Sequence, residues 1–264
     1  MNNQTITINV PTKRNALLKQ AITRINNCIE IKTLWNVANV NAIDRRGMTD
    51  HGPVHCQIVA NIGLRLLRML IEAKIKPAIV RDFNLTNDHA ELVVVLGCLL
   101  HDVGMSIERE NHEELSLFLA NNLLRELLEF LPVRERTIVI SETLHAIYNH
   151  RTAGSPSTIE GGVVRVADAL DMCKGRSRIP FEAGKISIHS LSAFAIEEVK
   201  IGKGKDTPIK IKVIMNNSAG VFLMDQHLKN KLKGSKIDTY VEVEAVVLGE
   251  TDKRLIKEFS LKTK

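Results

Sequence analysis

No uninterrupted run of apolar residues in this sequence is long enough to cross a bilayer. Among its 264 residues the longest run, Leu92 to Leu100, is nine residues with Gly97 inside it, against the about 20 that a spanning helix needs. The first fifteen residues, MNNQTITINVPTKRN, hold no apolar core followed by a small-residue cleavage site. A secretory signal is therefore not expected, and the cytoplasm is the expected location. Cysteine is scarce: Cys28, Cys56, Cys98 and Cys173 lie far apart and form no CxxC pair. That spacing fits reduced core thiols better than a zinc site or a disulfide framework. There is no internal repeat, and 44% hydrophobic with 25% charged residues excludes a disordered or low-complexity chain.

What is present is a moderate positive charge, unevenly made. Lysine and arginine number 36 against 30 acidic residues, a net +6. This surplus suits an anionic partner, with a small phosphorylated ligand as good a fit as nucleic acid, which such a charge does not demand. Residues 1–178 hold 15 Arg and 6 Lys, whereas residues 179–264 hold one Arg, Arg254, and 14 Lys. The change places a domain boundary near Pro180, giving a first domain over 1–179 and an accessory domain over 180–264. Arginine's planar fork matches phosphate, so the first domain is the expected home of an anion site.

The first domain reads as helical. His55, Val59, Ile62, Leu66 and Leu70 recur at spacings of four, three, four and four, a single helical face that carries a histidine on its core side. A second helix is expected from Asn87 or Asp88 to Gly104, apolar all round and therefore central. It ends in His101-Asp102. Further helices are expected from Asn111, as a side-chain cap, from about Arg136 to His150, and from Ser157 to Cys173. After Lys185 the pattern changes. PIKIKVIM and TYVEVEAVV alternate as strands, with a helix over Ala219 to Lys233 between them. The expected fold is mainly α, a helical bundle followed by a small α+β domain.

Ionisable groups inside apolar helices need partners or a metal. His101 and Asp102 end a buried helix, and Asp168 lies in the apolar GGVVRVADALDM. Either they are satisfied core polar residues or they converge, with His55, on a cation. Nitrogen and carboxylate donors together suit Mn, Fe, Co, Ni or Zn. The order H55-CQIVA, H101-D102-VG and AD168-ALD resembles the HD-domain metal-dependent phosphohydrolases. The likeness runs from about Asp50 to Arg178. It includes Val59-Ala60 after the first histidine, Val103-Gly104 after the HD pair, and Ala167 before the last aspartate.

The resemblance implies a helical HD core and hydrolysis of a phosphate ester by a metal-bound hydroxide, with one or two divalent ions, Mg also being admissible. His55, His101, Asp102 and Asp168 would hold the first ion. His112 and His150 would hold a second, with Asp102 as the bridging, catalytic carboxylate; His145 is held in reserve. His112 could instead be a surface residue beside Glu113 and Glu114. His51 could reach the cavity or cap a helix. Lys174, Arg176 and Arg178 could meet substrate phosphate, with Arg109 and Arg151 as weaker choices and a solvated basic turn as the alternative. His89, His189 and His227 are expected to face solvent. The GYP signature of cyclic dinucleotide phosphodiesterases and the Glu-Asp pair of guanosine tetraphosphate hydrolases are both missing, so neither subfamily is implied.

The expected substrate is a phosphorylated, nucleotide-like small molecule. A single-metal enzyme for a narrower nucleotide substrate, such as a deoxynucleoside monophosphate, and a non-catalytic nucleotide- or RNA-binding regulator are the alternatives. The C-terminal domain is a packing or homo-oligomerising module on this reading.

Overall fold

The structure, a computed structural model, describes residues 6–173 and 188–248. Lys174, Arg176, Arg178 and the boundary expected near Pro180 lie outside the described residues. The first part holds α1 (Ala16–Asn27), α2 (Ile29–Asn39), α3 (Pro53–Glu72), α4 (Ala78–Phe83), α5 (Asn87–Leu100), α6 (His112–Leu127), α7 (Val133–Asn149) and α8 (Ile159–Leu170). A π-helical turn, Val40–Arg45, extends α2, and a 3₁₀ turn, Val103–Ser106, follows α5.

The central element is α5, buried at every position from His89 to Leu100, as its all-round apolar surface requires. It packs on α1, α3, α7 and α8. By length and composition alone, α3 and the Asn87–Ser106 stretch could cross a membrane. Here they pack on each other, the second almost wholly buried in the bundle. Cys56 and Cys98 are buried, Cys28 and Cys173 half-buried, and none of the four is in a disulfide.

Two helix ends differ from the sequence reading. The central helix stops at Leu100, not Gly104: His101 is its C-cap and Asp102 opens the 3₁₀ turn with φ −105°. The break turns Asp102 away from the helical course. Asn111 precedes α6 in a left-handed conformation, φ 56°, and makes no side-chain cap bond. It serves as a turn residue there, since Asn tolerates that region better than most.

The second part holds α9 (Ile188–Ala195), β1 (Ile196–Gly202), β2 (Ile209–Met215) and β3 (Val241–Val247) in sheet order β1-β2-β3. Between β2 and β3 runs a crossover helix: Gly220–Leu223, then a π-helical turn, Met224–Lys229, then Asn230–Leu232. The sequence marked β2, β3 and this helix but not α9 or β1. A bulge between Ile196 and Glu198 breaks the period-two pattern of β1, which hides it. β1 and β2 are antiparallel, while β2 and β3 are parallel and so need the crossover helix to join them. Ile209, Ile211, Val213 and Met215 point inward. Lys210 and Lys212 point out and pair with Glu242 and Glu244.

The sheet shares one continuous apolar core with the helices. Gly162 on α8 allows the closest approach: a Cβ there would stand 1.6 Å from the Ser235 carbonyl oxygen. Arg165, one turn on, donates to the carbonyls of Thr152 (2.7 Å) and Asn230 (2.9 Å). The segment after the crossover helix is thus clamped to α8.

Candidate metal centre

Six of the residues singled out in the sequence meet at helix ends. His55 stands in the first turn of α3, held by Asp50, whose Oδ1 accepts from the backbone N–H of Gly52 (3.0 Å) and His55 (3.2 Å). His101 and Asp102 follow the C-terminus of α5, His150 caps that of α7, and Asp168 lies in the last turn of α8. His112 is the first residue of α6. Three helix C-termini, the negative ends of their dipoles, therefore face one point, a field that favours a cation.

Around that point His55 Nε2 lies 3.2 Å from His101 Nε2, 3.5 Å from Asp102 Oδ2 and 3.3 Å from Asp168 Oδ1. His101 Nε2 lies 3.2 Å from Asp102 Oδ2 and 3.6 Å from Asp168 Oδ1. Ligand atoms about 2.0–2.2 Å from one cation stand about 3.0–3.6 Å from each other. These spacings match that range. The other oxygen of Asp102, Oδ1, lies 3.2 Å from His112 Nε2 and 3.7 Å from His150 Nε2. One carboxylate thus divides its oxygens between two donor groups.

Each ring is turned by its other nitrogen. Nδ1 of His101 meets the Cys98 carbonyl (2.8 Å), that of His150 the Ile147 carbonyl (2.6 Å) and that of His112 the Arg109 carbonyl (2.9 Å). A carbonyl only accepts, so on His101 and His150 the ring proton sits on Nδ1 and the Nε2 lone pair faces inward, whereas His112 Nδ1 also meets the Arg109 guanidinium, a donor, at 2.9 Å. His55 Nδ1 meets Asp171 Oδ2 at 2.6 Å, the carboxylate–imidazole arrangement common behind metal ligands. Facing lone pairs 3.2 Å apart repel unless a proton or a cation lies between them, and this donor set fits a divalent transition metal.

The electrostatics agree. Burial pushes the Asp102 carboxyl upward, but His101 and His112 outweigh it and hold the group well below the usual carboxylate range. Burial acts likewise on Asp168, where Lys231 and then His101 and His55 bring it far down. Burial would lower His101, yet Asp102 and Asp168 raise it to about 10, so a proton stands in wherever a cation is lacking. Burial, with His101 and Lys231, holds His150 well below the ordinary histidine value, as a neutral imidazole ligand requires.

His51 lies before α3, not one helical turn ahead of His55: its Nδ1 meets the Thr49 carbonyl at 2.7 Å. Asp50 takes the capping role. His51 lines the cavity beside the centre, as do Arg109 and Arg151. His145 does not join them; it accepts from the Ser157 N–H (3.1 Å) and steadies the loop after α7. His89 is buried, against expectation, and pairs with Glu135 at 3.1 Å while closing the cap of α5. His227 also departs from expectation, for it lines the cavity. The side chain of His189 lies outside the described residues.

Three further residues reach the site without having been singled out. Asp171 is visible in hindsight, three positions after Asp168. Glu113 joins His112 and His150 as a third donor group. Lys231, buried, pairs with Asp168 Oδ2. With His227 it comes from the crossover helix, and no local sequence signal connects that helix to the centre.

The chain matches the HD domain over residues 50–173, a span that contains all six donors and Asp171. It is 38% identical over 233 residues to the uncharacterized protein MJ1020 of Methanocaldococcus jannaschii, covering 88% of this chain and 89% of that one. No solved structure matches. With the HD motif residues gathered at one buried centre and likeness to that relative along nearly the whole chain, the protein belongs to the HD-domain family.

Proposed function

We propose that the protein is a metal-dependent phosphohydrolase of the cytoplasm that cleaves a phosphate ester of a nucleotide or a related small molecule. The observation that carries this reading is the set of four donor atoms, from His55, His101, Asp102 and Asp168, spaced 3.2–3.6 Å in each measured pair. On this reading they hold the first cation. His112, His150 and Asp102 Oδ1, with Glu113 beside them, hold the second. When bound, such cations would lower the pKa of a coordinated water toward about 7 and polarise phosphoryl oxygens.

The chain's own groups do the rest. Asp171 and the Cys98, Ile147 and Arg109 carbonyls orient the imidazoles. Arg109 and Arg151 line the cavity where phosphoryl charge would sit, and a guanidinium there draws the anion in. Nitrogen with carboxylate donors favours Mn, Fe, Co, Ni or Zn over Mg.

The test is turnover of a panel of phosphorylated compounds by protein reconstituted with Mn, Co, Ni or Mg, alongside Asp102→Ala. Losing Asp102 removes a donor from both groups, so turnover should fall at least about 1,000-fold, some 4 kcal/mol of barrier. Unchanged turnover in that variant would sink the proposal.

A further inference from the structure

The cavity beside the metal centre is lined by groups of opposite character. Asp102, Asp168, Glu113, His112 and His150 line it, and Arg109, Arg151 and Lys231 bring three cationic groups to the same space. Of these Lys231 is the least expected. It is 3% exposed, and among the described residues Asp168 Oδ2 is the one acceptor paired with it. An ammonium has three N–H donors, so two remain for something else. Asp168 offsets the burial of the charge, but the two buried N–H donors it leaves unmet still carry a desolvation cost. On a carboxylate that also serves a divalent cation, the ammonium repels that cation as well. An anion bound between the two reverses both penalties.

The position of Lys231 is built in. Arg165 holds the carbonyl of the preceding residue, Asn230, and Gly162 admits Ser235 against α8. Asp168 then presents Oδ1 toward His55 and Oδ2 toward Lys231. A group that reaches the first oxygen's cation also reaches the ammonium. The cavity measures about 130 Å³, well under the roughly 300–1,000 Å³ that encloses a whole drug-sized ligand. It admits a phosphoryl head and leaves the remainder of the molecule outside.

We propose, building on the phosphohydrolase reading, that Lys231 binds the phosphoryl group of the substrate together with Arg109 and Arg151, and that the ligand class is a monoester with a terminal phosphate. The C-terminal part of the chain is then half of the active site. A phosphate inside a diester chain carries a second substituent, for which a cavity of about 130 Å³ leaves less room.

The experiment uses the full chain loaded with Mn, inorganic phosphate as probe, calorimetry for affinity and elemental analysis for Mn content. Lys231→Met should keep the wild-type Mn content and bind phosphate about 10- to 100-fold more weakly, the loss of a charge-assisted hydrogen bond. Lys231→Arg should restore binding to within about 3-fold, since the charge and donors return. If Lys231→Met does not fold, Lys231→Gln takes its place. Wild-type protein should hydrolyse p-nitrophenyl phosphate at least about 10-fold faster than its bis ester, a barrier difference of about 1.4 kcal/mol.

Phosphate affinity unchanged in the Lys231 variants overturns the proposal, as does loss of Mn from them, which would make Lys231 a support of the metal shell. Equal rates on the two esters overturn the monoester assignment. The underlying reading fails with a different signature, wild-type protein that holds no Mn.

Discussion

At the scale of single residues, the site rests on which nitrogen of each imidazole faces the centre. For His101 and His150 a backbone carbonyl settles it, and no substitution removes a carbonyl. His55 is different, because its Nδ1 rests on a side chain, Asp171. Asp171→Ala should therefore leave all the donors in place and still weaken Mn binding about 10- to 100-fold, as loss of a supporting carboxylate does elsewhere. Titration against a chelator of known affinity measures this, and wild-type affinity in the variant would show that packing alone orients the ring. The donors themselves were legible in the sequence, because an Asp or His in an apolar helix demands an explanation. Lys231 was not, since a lysine on a lysine-rich stretch reads as a solvated charge. Its partner lies 63 positions away.

At the scale of elements, the end of a helix decides more than its course. The HD pair works because α5 stops between its last apolar turn and Asp102, and Gly104 lets α6 close over the break. A Cβ at Gly104 would stand 2.1 Å from the His112 carbonyl oxygen and 2.6 Å from the Ser116 N–H nitrogen, both backbone atoms that cannot swing aside. Gly104→Ala should push the first turn of α6 outward and carry His112 with it. The expected result is loss of the second Mn with retention of the first, and destabilisation of about 1–3 kcal/mol, read by elemental analysis and thermal melting. The periodicity made α5 and its central position plain. It could not show the stop, because the apolar run gives no turn signal before Val103. A second element-scale consequence lies between α7 and α8. Burial, with Glu160 and Asp82, raises the Glu142 carboxyl, and its buried Oε2 has no hydrogen-bond partner. A carboxyl raised on folding stabilises the protein below its unfolded value of 4.5 and loses that contribution as pH rises through the folded one. Glu142→Gln should accordingly melt about 1–3 °C higher at pH 7, with the gain vanishing near pH 4.

At the scale of the whole molecule, the question is why a helical HD core carries a small sheet. Arginine and lysine usage suggested a boundary near Pro180, outside the described residues, and β2 and β3, though not β1, were legible from alternation. Their docking was not, since it depends on one glycine, one arginine and an apolar surface whose partner is remote in sequence. In the folded chain the sheet shares the core of the bundle, and Arg165 is the joint. It is 3% exposed, burial lowers its guanidinium from the ordinary value, and its bonds go to carbonyls, one on each side of the joint. Such a group is costly to bury and is best understood as fixing geometry. Arg165→Leu keeps the apolar volume but leaves the Thr152 and Asn230 carbonyls without that donor, at about 1–3 kcal/mol. The crossover helix should then shift relative to α8, and Lys231 with it. The expected pattern is wild-type Mn content, a lower melting temperature and weaker phosphate binding than the stability loss alone explains. If phosphate affinity instead stays at the wild-type value while melting falls, the joint serves stability only, and the sheet's hold on α8 has no bearing on the site.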